Sequence, residues 1–165
     1  VCRDLPRAVQ DGTDLEARGK MLAAASMGAT AFQKGLGSIH AVSHVVGALY
    51  NTHHGLTNAI VLPYGVYLNA PVVEDKLAYL CRALELEHSG SAGFIDFLRS
   101  FCEDLGIPAT LSELGLDDER AVDIGRLAME DPTAASNPRA LDARQYSALY
   151  LAALRGDCAM LDALR

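Results

Sequence analysis

Two nearly all-apolar segments joined by a short polar turn constrain the fold more than any other feature of the sequence. The first, IHAVSHVVGAL, is apolar on almost every side of a helix, which is typical of a buried central helix. It follows a Gly-Leu-Gly break that lacks the strand and third glycine of a dinucleotide-binding turn. The second segment follows the turn at 51–55, is expected to kink at Pro63 and is predicted to end near Pro71. We therefore predict a buried helical hairpin from Gly35 to Asn69.

The rest of the chain shows only helical patterns. No segment alternates apolar and polar residues as a half-buried strand does. A capping-box pattern from Thr13 to Glu16 predicts a helix to about Gln33, with one apolar stripe that includes Leu15, Leu22 and Phe32. Further helices are predicted at 73–87, 93–105 and 117–130, and from Asp142 onward. These patterns predict an all-α multi-helix bundle that forms a single domain over residues 1–165.

Composition argues against several classes of partner. The 165 residues include 21 acidic and 14 basic side chains, with a formal net charge of −7, and the basic residues are scattered. Nucleic acid and anionic membranes recruit clustered Lys and Arg, so neither is expected as a partner. The four cysteines form no CxxC pair, which is typical of reduced thiols. Without an apolar run of about 20 residues or a signal-peptide pattern, we expect a soluble cytoplasmic protein.

Four of the five histidines lie in the predicted hairpin. His40 and His44 are one helical turn apart, and His53 and His54 are adjacent in the turn. Neutral imidazole is the commonest protein ligand for divalent transition metals. One such histidine alone is more often structural, but four so close together favour a metal site. The pattern is incomplete, because the stretch contains no carboxylate and a catalytic metal takes at least three protein ligands. His88 is predicted to be an exposed loop residue.

The stretch GLGSIHAVSHVVGALYNTHHGLTNAIVLPYGVYLN resembles the signature region of the iron-dependent, group III alcohol dehydrogenases. The segment LPRAVQDGTDLEARGKMLAAASMGATAF resembles the helix pair before that signature, and AMEDPTAASNPRALD resembles a family segment near the C-terminus. In that family an N-terminal α/β domain binds NAD or NADP, and a C-terminal all-helical domain supplies the metal site. The resemblance implies that this chain corresponds to the helical domain, with the N-terminal domain absent.

The family's metal ligands are one Asp and three His, and the resemblance assigns two of them to His40 and His54. The remaining Asp and His would lie before residue 1. His44 matches a histidine beside the nicotinamide and the substrate, so it is a candidate for proton relay or substrate positioning. His53 is given no role. The resemblance implies Fe²⁺, with Zn²⁺ as the alternative, acting as a Lewis acid on a small alcohol or aldehyde during hydride transfer.

Three functions remain open at this point. The first is the metal-binding half of an NAD(P)-linked alcohol dehydrogenase, homo-oligomeric in its complete form. The second is a sibling with the same fold, such as a zinc-dependent glycerol dehydrogenase, a maleylacetate reductase or a dehydroquinate synthase. The third is a stable helical module without activity. We expect the chain alone to be inactive, because it has neither a dinucleotide site nor enough ligands to hold Fe²⁺ strongly.

Overall fold

The computed structural model describes residues 1–165, and its regular structure is entirely helical. The all-α prediction is therefore confirmed. The α-helices are α1 (Leu5–Gln10), α2 (Leu15–Ala31), α3 (Ser38–Tyr50), α4 (His54–Ala83), α5 (Gly90–Asp104), α6 (Ala121–Glu130) and α7 (Ala143–Arg155). Short 3-10 helices lie at Phe32–Lys34, Ser112–Leu114, Pro132–Ser136 and Cys158–Leu164.

The hydrophobic core lies between α3, α4, α6 and α7, and α5 packs on the outside of α4. Helix α3 is buried as its apolar sequence predicts: Ala41, Val42 and Val46 have no exposed surface. Tyr146 and Tyr150 of α7 are buried beside it. The predicted helical hairpin is therefore at the centre of the fold, and the surrounding helices hold it in place.

Helices α3 and α4 approach each other closely at Gly65. A side chain at this position would overlap Cγ1 of Ile39, the residue before His40. At the start of α3, Gly35 and Gly37 adopt φ values of 99° and 100°, a region that favours glycine. The predicted break before α3 is therefore present. Helix α3 begins immediately after it, two residues before His40.

Helix α4 is longer than predicted. We predicted an end near Pro71 and a separate helix from 73 to 87, but α4 continues through Pro63 and Pro71 to Ala83. Proline inside a helix costs about 3 kcal/mol or more, and buried apolar residues on both sides of Pro71 offset that cost. By length and composition α4 could cross a membrane, but half of its most apolar window is buried inside the protein, as in a core helix.

Helix α2 begins differently from the prediction. The N-cap is Asp14, whose side chain accepts a hydrogen bond from the Ala17 amide at 2.9 Å. The Thr13 hydroxyl instead donates to Asp11 at 2.6 Å. The predicted Thr13–Glu16 capping box is therefore wrong, because a carboxylate one residue later satisfies the free amides at the helix start. The expected cap at Ser38 is also absent: Gly37 is the N-cap of α3, and the Ser38 amide donates to Asn137.

The apolar stripe of α2 is exposed. Leu15, Leu22 and Phe32 keep 81%, 74% and 54% of their surface accessible, and α1 and α2 pack mainly against each other. We call the exposed side chains of this helix pair and of the 3-10 turn that follows it the α1–α2 apolar surface; they are Val9, Leu15, Leu22, Met27 and Phe32. The helical periodicity of the stripe is as predicted, but within this chain no element covers it.

Substitution by alanine is expected to have opposite effects on stability at Gly125 and at Gly19. A methyl group at Gly125 would overlap the Ser147 hydroxyl and the Ala143 carbonyl where α6 meets α7. Gly125→Ala should lower the free energy of unfolding by about 2 kcal/mol, because the two helices must separate. Gly19 lies exposed in α2 with open space around it, so Gly19→Ala should raise that free energy by about 0.5–1 kcal/mol. Urea unfolding of both variants measures the two changes, and equal effects would contradict the α6–α7 packing.

Candidate metal centre

Three of the predicted site residues come together on one side of the α3–α4 pair. His40 and His44 project from the same face of α3, and His54 is the first residue of α4. The ring centroid of His54 is 5.3 Å from those of both His40 and His44, and the His40 and His44 centroids are 5.9 Å apart. The turn that returns the chain passes through Asn51, which has a left-handed backbone with φ 56°. The sequence spacing thus becomes a cluster of three imidazoles.

The remaining two histidines lie outside this cluster. His53 is the N-cap of α4, and its Nδ1 accepts a hydrogen bond from the Leu56 amide at 3.2 Å. His88 is exposed in the connection between α4 and α5, as predicted. Neither ring takes part in the contacts among the three clustered imidazoles. His53 therefore has a structural role that the sequence analysis did not assign.

The contacts of Ser43 determine which His54 nitrogen carries the proton. The Ser43 hydroxyl donates to the His54 carbonyl at 3.2 Å, and its oxygen lies 3.1 Å from Nδ1 of the same residue. Since the single hydroxyl proton is used by the carbonyl, the oxygen accepts a hydrogen bond from Nδ1–H. The neutral ring therefore has its lone pair on Nε2, the nitrogen that faces the cluster. This is the tautomer that a metal ligand requires at Nε2.

The lone pairs of His40 and His54 converge on one atom of Asn58. The Asn58 amide nitrogen lies 3.2 Å from Nε2 of His40 and 3.0 Å from Nε2 of His54. An amide NH₂ group only donates, so both ring nitrogens accept. Oδ1 of Asn58 is buried without any hydrogen-bond partner. Asn58 lies one helical turn after His54, a spacing visible in the sequence, but the sequence analysis did not select it.

Asp131 is a second site residue that the sequence analysis missed. Its Oδ2 lies 3.0 Å from Nδ1 of His44, and its Oδ1 accepts hydrogen bonds from the amide and hydroxyl of Thr133 at 2.8 and 2.6 Å. Burial raises the pKa of Asp131, but the bonds from Thr133 and the contact with His44 outweigh it and leave the pKa below its ordinary value. The ionised carboxylate accepts Nδ1–H of His44, so the lone pair of the neutral ring is on Nε2.

These observations fit half of a metal site. The resemblance assigns His40 and His54 as ligands, and their Nε2 atoms point at one position, which is the arrangement that a shared ion would need. Burial and the neighbouring His54 and His44 rings lower the pKa of His40, so its metal-binding neutral form is favoured. Nowhere in the chain are three or more His, Cys, Asp or Glu side chains placed to hold a metal ion.

The arrangement of the chain matches a known enzyme family. The profile of the Fe-containing alcohol dehydrogenase family, C-terminal part, matches residues 1–154. The chain belongs to this family. It is 35% identical over 154 residues to the "Probable alcohol dehydrogenase EutG" of Escherichia coli K12, covering 93% of this chain and 39% of that protein. It is 34% identical to the 4-hydroxybutyrate dehydrogenase of Cupriavidus necator, covering 86% and 39% respectively.

Solved structures of iron-containing alcohol dehydrogenases and their relatives have the same fold. A 1,3-propanediol oxidoreductase superposes with a TM-score of 0.89 and 29% identity, covering 93% of this chain and 42% of that one. An alcohol dehydrogenase from Oenococcus oeni gives 0.87 and 29%, covering 92% and 42%. The chain thus spans about two fifths of the length of the relatives it matches. Its fold is that of the helical part of these oxidoreductases.

Replacement of Asp131 tests the hydrogen bonds that its carboxylate accepts from Thr133 and His44. Asp131→Asn should lower the free energy of unfolding at pH 7 by about 1 kcal/mol, because these bonds lose their charged acceptor. The pKa of Asp131 is depressed in the folded state. Its stabilising effect is therefore complete above the unfolded carboxyl pKa of about 3.9 and is lost as the pH falls through the folded value. Unfolding of both proteins from pH 3 to 7 should show the difference shrinking in acid, and a pH-independent difference would contradict this role.

Proposed function

We propose that this chain is the metal-binding catalytic part of an NAD(P)-linked alcohol dehydrogenase that interconverts small alcohols and aldehydes or ketones by hydride transfer. The observation that carries the proposal is the convergence of the His40 and His54 Nε2 atoms on one point, in a chain of the iron-containing alcohol dehydrogenase family. His40 and His54 are the proposed ligands for Fe²⁺, with Zn²⁺ as the alternative. A bound ion supplies Lewis-acid polarisation of the substrate oxygen.

His44 is the proposed proton relay. Its Nδ1 is held by Asp131, and its ring stacks on His54 with an interplanar angle of 19°. The His44 side chain keeps 38% of its surface accessible, so Nε2 can reach a substrate hydroxyl. A histidine oriented by a carboxylate accepts a proton at the opposite nitrogen, as in catalytic triads. Asp131 would then orient the base and stabilise its charged form.

The nicotinamide cofactor and the specific alcohol are proposed from relatives. One relative, 33% identical over 142 residues, is the NAD-dependent methanol dehydrogenase of Bacillus methanolicus. Others are a 1,3-propanediol dehydrogenase of Klebsiella pneumoniae and a lactaldehyde reductase of Escherichia coli K12. The compounds in these names are small molecules of one to three carbons with a hydroxyl or aldehyde group, so we propose a substrate of that class. A panel of such alcohols, with maleylacetate included for the reductase branch, would identify it.

We also propose that activity requires a segment before residue 1. The relatives are about two and a half times as long as this chain, only two ligands converge here, and the α1–α2 apolar surface is uncovered. Exposed Leu, Met and Phe side chains on one helix pair are typical of a surface that packs against another part of a protein. The absent segment would cover this surface, complete the ligand set and bind the nicotinamide.

In the protein completed by that segment, the ligand assignment predicts that variants of the ligands lose the metal, whereas a variant of the proton relay keeps the metal and loses turnover. His40→Ala and His54→Ala should each abolish bound metal and alcohol oxidation, because each removes a ligand. His44→Ala should keep the metal but reduce kcat by about 10²–10⁴-fold, the usual contribution of a general base. His88→Ala, an exposed histidine away from the cluster, is the matched control and should behave as wild type. Normal metal content in His40→Ala or His54→Ala would show that the assignment is wrong.

The chain of 165 residues should be inactive by itself. Two imidazoles bind Fe²⁺ weakly without further ligands, and no dinucleotide-binding turn is present. The purified chain, loaded with Fe²⁺ under anaerobic conditions, should not reduce NAD⁺ or NADP⁺ in the presence of alcohols. Absorbance of the reduced nicotinamide measures this directly. Turnover above the metal-free blank would contradict the need for a second segment.

A further inference from the structure

We infer that Asn58 is a positioning residue: its amide nitrogen donates to Nε2 of both His40 and His54 and keeps the lone pairs of these two nitrogens directed to one point. The inference rests on the proposed function only in taking these two histidines as ligands. It assigns a function to a side chain that otherwise has no role in the site. It also accounts for the buried, unbonded Oδ1 of Asn58.

The first step of the argument is geometric. One nitrogen atom, Nδ2 of Asn58, lies within hydrogen-bond distance of two Nε2 atoms at once, at 3.2 and 3.0 Å. Nδ2 therefore satisfies the lone pairs of both Nε2 atoms from a single point. A metal ion held by His40 and His54 would use the same two lone pairs, because each neutral ring has only one on Nε2.

The second step concerns the tautomers. A free histidine side chain in water favours the proton on Nε2, which is the wrong form for a ligand that binds through this atom. His54 is held in the Nδ1–H form from one side by Ser43 and from the other by Asn58. His40 has a hydrogen bond to Asn58 only. The tautomer of His40 therefore depends on Asn58, whereas that of His54 has a second support.

The third step is energetic. Holding both amide hydrogens on the rings leaves Oδ1 buried without a partner, which is ordinarily unfavourable for a polar atom. The two hydrogen bonds that Nδ2 donates to the imidazole nitrogens offset this penalty. They hold both rings in the form in which Nε2 could bind a metal ion.

Imidazole ¹⁵N NMR of the metal-free chain tests the positioning role. At about pH 8.5, two units above the ordinary histidine pKa, Nε2 of both His40 and His54 should give the signal of an unprotonated nitrogen. In Asn58→Ala, His40 should change to mainly protonated Nε2, while His54 should keep its form because Ser43 remains. Lys76→Ala, exposed on the same helix, should leave both rings unchanged. Protonated Nε2 in the wild type, or an unchanged His40 in Asn58→Ala, would overturn the inference.

Zn²⁺ binding to the same chain tests the position of the side chain. Asn58→Asp replaces the amide nitrogen with a carboxylate oxygen beside the two Nε2 atoms, so calorimetry should show Zn²⁺ affinity about tenfold or more above wild type, within the range by which residues around a metal change its affinity. Ala59→Asp adds the same charge on the neighbouring face of α4 and should have little effect. If Asn58→Asp binds Zn²⁺ no better than Ala59→Asp, the Asn58 side chain does not face the point on which the two lone pairs converge.

The two proposals fail in different ways. The tautomer measurement uses no metal, cofactor or substrate, so its outcome is independent of whether the completed protein is an alcohol dehydrogenase. Conversely, normal metal content in His40→Ala of the completed protein would refute the proposed ligand set and leave the inferred tautomers unaffected.

Discussion

The close packing of α3 against α4 is the contact on which the histidine cluster depends. Gly65 has no side chain, so Ile39 can lie directly against the backbone of α4. This contact fixes the register in which His40 faces Asn58 and His44 faces His54. A shift of α4 by one residue would rotate its side chains by about 100° and turn His54 and Asn58 away from α3. The site is therefore a product of helix packing as much as of histidine spacing.

A polar junction connects the C-terminal third of the chain to this helix pair. Oδ1 of Asn137 accepts hydrogen bonds from the Ser38 amide and from Asn69 at 3.0 and 3.2 Å, and its Nδ2 donates to Asn69 at 2.8 Å. Polar groups satisfied in this way, in a partly buried position, specify one arrangement of the segments that they join. The junction holds the segment 131–137 against the start of α3. Asp131, at the beginning of this segment, thereby reaches His44.

The features that depend on local periodicity and spacing could be predicted from the sequence. The features that depend on contacts between residues far apart in the chain could not. Helical periodicity indicated the all-α class and the central hairpin, and the one-turn spacing of His40 and His44 placed both rings on one face. Asp131 is 87 residues from His44, and no local pattern links the two. The predicted helix end near Pro71 was wrong for a related reason. The free-energy penalty of a proline inside a helix is local, but the burial that offsets it comes from tertiary packing. The exposed stripe of α2 is the remaining case: its periodicity was evident, but no element of the 165 residues packs over it.

The division of the proposed site between two segments has a thermodynamic consequence. If His40 and His54 supply half of the ligands and an upstream segment supplies the other half, a bound ion joins the two parts. The two binding events are then linked. If docking of the upstream segment increases the affinity for the metal by some factor, the bound metal increases the affinity for the segment by the same factor. The same linkage would make the ion a stabiliser of the assembled protein, since it would bind the docked state more tightly than the separated one. Asn58 would then satisfy the two imidazoles in the part that lacks the other ligands. On this proposal the helical part folds without the ion, and the ion is held tightly only when both parts are in place.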